Sequence, residues 1–157
     1  MKRVAAREIA VRLCFALSEN PSDPNEFLEH TFSEEYYSSF KDEDKLYKNP
    51  PDEKQLEYIK NIVTGVYEHA AELDSCIEKH SIGWKFGRIS KIALAIMRTA
   101  MYEVLYMPDI PDKVAINEAV ELAKKYETPE TCSFINGILG SFSRALGEHV
   151  ADVPSEN

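Results

Sequence analysis

At 157 residues the chain can bury one sizeable core, and two full domains would be cramped. A content of 44% hydrophobic and 29% charged residues excludes a disordered chain, and a net charge of −9 argues against broad, nonspecific nucleic-acid binding. No apolar run approaches the roughly 20 residues that cross a bilayer. Arg7 and Arg12 interrupt any signal-peptide core, so the expected location is the cytoplasm, with no membrane partner.

The first predicted helix spans Arg3 to Leu17, with Ala5, Ile9, Leu13, Ala16 and Leu17 on one buried face. Arg3 and Arg7 share a face one turn apart, Lys2 lies beside them, and Arg12 is placed to pair with Glu8. Asn20-Pro21-Ser22-Asp23-Pro24 ends the helix in a turn. A second helix is expected over Asn25 to Phe40, followed by a charged loop, Lys41 to Asp52, in which nothing suggests a packed element. Residues 19–57 hold twelve acids against four lysines, whereas residues 1–14 set Lys2, Arg3, Arg7 and Arg12 against Glu8 alone. A polyanion should therefore meet the first segment, or residues 84–98, which carry four cations and no acid.

Asp52 can cap a long third helix running to about His80, on which Leu56, Ile59, Ile62, Val63, Val66, Leu73 and Ile77 recur at helical spacing. After the connecting segment Trp84 to Gly87, Ile89 to Met107 is apolar around more than half its circumference and should sit centrally. Pro108 ends it. In Ile110-Pro111-Asp112, Asp112 is the expected cap of a helix to Tyr126, and Thr128-Pro129 opens the last one. Gly137 in that helix would leave room for a neighbouring backbone. Asn117 and Asn136, each inside a helix, read as structural side chains holding adjacent helices in register. The fold class is all-α, two small helix bundles sharing one core: a single helical domain over residues 1–148, then a frayed acidic tail over 149–157.

Chemistry is sparse. Cys14, Cys76 and Cys132 are odd in number and lack CxxC spacing, so they read as buried, reduced thiols. The four histidines are too scattered for a metal pair, and no cofactor is implied. No nucleophile elbow, phosphate-cradling glycine loop or HExxH helix occurs, so no catalytic residue is expected. Glu118 and Glu121, with Lys124 and Lys125 a turn below, form a solvated, salt-bridged face rather than an acid pair.

VAINEAVELAKKY (Val114–Tyr126), SFINGIL (Ser133–Leu139), MRTAMYEVL (Met97–Leu105) and the ARE of Ala6–Glu8 together resemble the NusB family of bacterial transcription antitermination factors. The resemblance covers most of Trp84–Leu146 and the first helix and is poor across Asn20–Tyr58. It implies the same two-bundle fold and a nonenzymatic factor that binds boxA-type single-stranded RNA with the ribosomal protein NusE and joins the RNA polymerase antitermination complex. Lys2, Arg3 and Arg7 fall in the family's arginine-rich motif, broken here by Val4-Ala5-Ala6, which should weaken its electrostatic term. Phe134 matches the aromatic of the FxNG block, at the family's RNA-facing end, with core packing as its other reading. Lys113 is a further phosphate candidate, Phe15 the candidate NusE contact, and Tyr102 a packing residue. Where the family block ends in an acid this chain has Gly140, which removes a charged contact. Trp84, Lys85, Phe86 and Arg88 interleave aromatics with cations, a composition suited to RNA. The alternatives are a protein-interaction module of the same fold without specific RNA recognition, or the helical accessory domain of an RNA methyltransferase. Family members are monomers or homodimers.

Overall fold

Side-chain caps at Asp23, Asp52, Ser90 and Thr128 set several of the helix starts. In the computed structural model, which describes residues 1–151 and side chains through residue 147, every regular element is helical and no strand occurs among the described residues. The chain divides into two compact units, one over Met1–Ala70 and one from Ala71 onward.

The first unit is built on α1 (Arg3–Glu19) and α4 (Glu53–Glu68), which pack along their apolar faces through Ile9, Ile59 and Ile62. Beside them lie α2 (Pro24–Thr31) and α3 (Glu34–Ser38). Asp23 starts α2 by accepting from the backbone N–H groups of Asn25 and Glu26, and Pro24 occupies the first helical position, where no donor is missed. Asp52 starts α4 by accepting from Gln55 N at 3.3 Å.

The expected helix over Asn25–Phe40 is two helices. The chain breaks at Phe32-Ser33, where the Ser33 hydroxyl donates to His30 O at 2.8 Å, and Glu34 and Glu35 occupy the next first turn. The segment expected to be a bland loop is packed. It contains a short helical turn, Lys45–Tyr47, opened by Asp44, which accepts from Leu46 N at 2.9 Å. Tyr47 meets the ring of Tyr37 edge-on at 5.6 Å and that of Phe40 at 5.5 Å. The Tyr37 hydroxyl donates to Asn49 O at 3.2 Å; burial, then neighbouring Tyr47, push its pKa up to about 12, so it stays a donor.

The expected third helix is also interrupted. His69, with φ −104° and ψ 17°, leaves helical geometry between α4 and α5 (Ala70–His80). In the second unit α6 (Lys91–Tyr106) is buried on most sides, as its composition demanded, and packs on α7 (Asp112–Tyr126) and α8 (Pro129–Ala151). Ser90 caps α6 by accepting from Ala93 N and donates to Glu127 past the end of α7. Thr128 caps α8, accepting from Thr131 N at 3.2 Å. Asp112 is not the cap of α7: Pro111 holds that position and Asp112 is the first helical residue, where a carboxylate favours the helix dipole. Polar links pin α5, with Arg98 donating twice to Asp74 at 2.6 and 2.9 Å and Tyr106 donating to Glu72. His80 Nδ1 lies 2.8 Å from Ser141 Oγ.

Asn117 and Asn136 do not hold helices together. Both are exposed, and neither side chain hydrogen-bonds among the described residues. Gly137 does not admit a neighbouring backbone either, since a Cβ there would meet nothing within 4 Å. Of the cysteines, Cys14 is buried while Cys76 and Cys132 are half-buried, and all three are free thiols. Residues 147–151 continue α8, and the part of the expected tail over 152–157 lies outside the described residues.

Candidate nucleic-acid interface

At the amino-terminal end of α1 the arginines are organised by α4. Arg3 Nε donates to Gln55 Oε1 at 2.7 Å, and its guanidinium carbon sits 4.0 Å from the centre of the Tyr58 ring. The Arg7 guanidinium lies 5.7 Å from the same ring. Sharing one face, as the sequence indicated, the two arginines bracket a single tyrosine. Their exposure differs, however. Arg3 is half-buried and its terminal nitrogens have no other partner among the described residues, whereas Arg7 is only 4% exposed. Arg7 therefore lies near Tyr58 within the packed unit rather than presenting a cation to solvent. Lys2 precedes the helix, exposed and without an ion-pair partner among the described residues.

An open cleft of about 360 Å³ lies beside this tip, lined by Met1, Lys2, Val4, Ala5, Glu8, Lys45, Leu46 and Asn49. Lys45 thus joins Lys2 on one surface, a residue that sequence reasoning missed inside an acidic segment. Three contacts bring it there. Arg12 Nη1 donates to Asp44 Oδ2 at 2.7 Å, Arg12 Nη2 donates to Glu8 at 3.2 Å, and the Arg12 guanidinium lies 5.7 Å from the Tyr47 ring. The Glu8 pairing is the one expected from their spacing; the Asp44 pairing spans 32 positions and carried no local signal. Arg12 is shared between Glu8 and Asp44, and the cationic side chains lining this cleft are Lys2 and Lys45.

The remaining candidates fall elsewhere. Phe15 is half-buried on α1. Lys113 is exposed in the first turn of α7, without an ion-pair partner among the described residues. Phe134 is half-buried on α8 and stacks on Trp84, with centroids 4.2 Å apart and planes 29° apart, so neither a fully exposed base platform nor simple core packing describes it alone. Tyr102 is buried and packs against Tyr106, with the ring planes tilted by 30° and centroids 5.2 Å apart. Glu121 and Lys124 form the exposed pair the sequence suggested, at 2.8 Å. Burial, then Glu72, raise the Cys76 thiol above its ordinary range, which suppresses thiolate chemistry. Among the described residues no group of His, Cys, Asp and Glu side chains is placed to hold a metal ion, and no helix is long and apolar enough to cross a membrane.

A helical protein with clustered cations at one end of its first helix belongs to a class whose surface suits a charged strand. The chain belongs to the NusB family, which it matches over residues 4–144. It is 41% identical over 156 residues to the transcription antitermination protein NusB of Ruminiclostridium cellulolyticum, covering 99% of this chain and 94% of that protein. Among solved structures it resembles T. maritima NusB, with a TM-score of 0.73, 28% identity and 92% of each chain covered. A NusB solved with NusE and double-stranded RNA shares the fold at a TM-score of 0.71 and 23% identity, over 91% of this chain and 96% of that one.

Proposed function

We propose that the protein is a transcription antitermination factor that binds boxA-type single-stranded RNA together with ribosomal protein NusE and joins the RNA polymerase elongation complex. The observation that carries this reading is the family match over residues 4–144, coupled to a basic tip held rigid on an otherwise acidic chain. It acts without catalysis, in the cytoplasm where transcripts are made, by holding an RNA element and a protein partner on one scaffold. The solved assembly of a NusB with NusE and double-stranded RNA supports the choice of NusE and RNA as partners.

Lys2 and Arg3, with Lys45 across the cleft, neutralise backbone phosphates; Arg7 fixes the Tyr58 ring on which Arg3 rests. Lys113 offers a further phosphate contact and Phe134 a ring for a base, while Phe15 on α1 contributes to the NusE interface. Each phosphate contact to a single strand steepens the dependence of log affinity on log salt by about 0.7, so these four contacts give a slope of about −3. The test is a fluorescence titration of boxA RNA, with and without NusE, over a series of salt concentrations. Replacing Lys2 and Arg3 by Ala should flatten the slope by about 1.4. Binding that is absent, or independent of salt, with both RNA and NusE present overturns the reading.

A further inference from the structure

In the second unit, the segment between α5 and α6 sets an aromatic pair among cations in a way the amino-terminal tip does not use. Trp84 and Phe134 stack at 4.2 Å, and both are half-buried, so the pair keeps a surface open to solvent. Lys85 and Arg88 are exposed, and neither side chain has an ion-pair partner among the described residues. Residues 84–98 contain no acid, in a chain whose net charge is −9. Gly137 follows Phe134 by three positions on α8, which places it on the same helix face, and a Cβ there would meet nothing within 4 Å. The helix surface next to the stacked rings is therefore bare backbone, open to close approach.

We propose that Trp84, Lys85 and Arg88 form with Phe134 a second contact for single-stranded RNA: the indole and phenyl rings receive an unpaired base, and the two cations hold the phosphates flanking it. The inference rests on the RNA-binding reading above and adds three residues to it. Stacking on a ring face is available to an unpaired base and closed to one inside a duplex, which selects a single strand. The unneutralised lysine speaks against a protein partner, because the cores of protein interfaces are depleted of lysine whereas phosphate contacts recruit it.

Trp84 is the only tryptophan in the chain, so its emission reports on this site alone. A short boxA-type RNA is titrated into the full protein with NusE present, following tryptophan emission and the anisotropy of labelled RNA together. The expected result is quenching of Trp84 that saturates at the same RNA concentration as the anisotropy. Lys85→Ala/Arg88→Ala, at two exposed positions, should flatten the salt slope by about 1.4, and Trp84→Leu should weaken binding about 5- to 150-fold with helical circular dichroism retained. RNA binding with unquenched Trp84 and an unchanged slope in the double variant overturns this contact while leaving the RNA-binding reading intact. Quenching by NusE alone, with no further change on adding RNA, assigns the rings to the protein partner and overturns it as well. Failure of the wild-type protein to bind RNA at all removes both.

Discussion

Asp44 gives the sharpest test of how the acidic segment is attached, because one side chain makes two separable contacts. Its Oδ2 accepts from Arg12 at 2.7 Å and its Oδ1 from the backbone of Leu46 at 2.9 Å. The Arg12 and Asp44 side chains are 25% and 38% exposed, so screening keeps the ion pair near the upper end of a surface pair, about 0.5–1 kcal/mol. The cap contributes about 1 kcal/mol more. Asp44→Asn keeps an oxygen for the cap and loses the charge, so it should cost about 0.5–1 kcal/mol; Asp44→Ala loses both and should cost about 1.5–2. Arg12→Ala should cost more again, about 2–3 kcal/mol, because Glu8 is only 7% exposed and loses its guanidinium partner. For a chain of this size 1 kcal/mol moves Tm by about 2–4 °C, so Asp44→Ala should melt about 3–8 °C early. Urea denaturation ranks the three variants, and limited proteolysis across residues 41–52 reports whether the segment has come loose. If Asp44→Ala melts with the wild type and resists protease equally, the segment is not latched through Asp44. Since Lys45 is the next residue, a loosened segment should also flatten the RNA salt slope by up to about 0.7.

Thr99 is 2% exposed on α6 and its hydroxyl has no hydrogen-bond partner among the described residues. Thr99→Val removes that polar atom at nearly constant shape and should raise the unfolding free energy by about 1 kcal/mol in urea; a loss of stability would mean the hydroxyl is satisfied after all. Burial, then Lys79, lower the pKa of His80 below its ordinary 6.5, so the folded chain disfavours its protonation relative to the unfolded chain. The contribution of neutral His80 is thus present above the ordinary value and lost as pH falls. On going from about pH 7.5 to about pH 5, the wild type should lose more stability than His80→Gln, and parallel curves would refute it.

Local signals carried far in this sequence. The caps at Asp52 and Thr128, the pair Glu8–Arg12, the pair Glu121–Lys124 and the central placement of α6 follow from spacing of four residues or fewer, or from composition. What could not be read depends on partners distant in the chain. Arg7 belongs to the correct face of α1, yet Tyr58 arrives from another helix. Lys45 reaches the tip because Arg12 and Asp44 meet across 32 positions. The interruption at His69 has no proline or glycine to mark it, and apolar spacing continues through it from Leu56 to Ile77. The break before α3 did leave a trace in Ser33-Glu34-Glu35, a helix-start composition hidden by the aromatics around it. Asn117 and Asn136 misled for the opposite reason: residues poor at forming helices suggest an internal partner, and here both face solvent.

The seating of Arg3 has a consequence for the quality of the grip. A long cationic side chain that wanders freely forfeits about 2 kcal/mol of rotamer freedom when it is immobilised on a ligand. Bolted between an amide and an aromatic ring, this guanidinium has surrendered much of that freedom when the chain folded. The tip is a fixed jaw, not a tentacle. A lysine in its place would carry equal charge and still draw a strand inward, but it would have no planar fork to lie on the ring and would hold that strand at no particular angle.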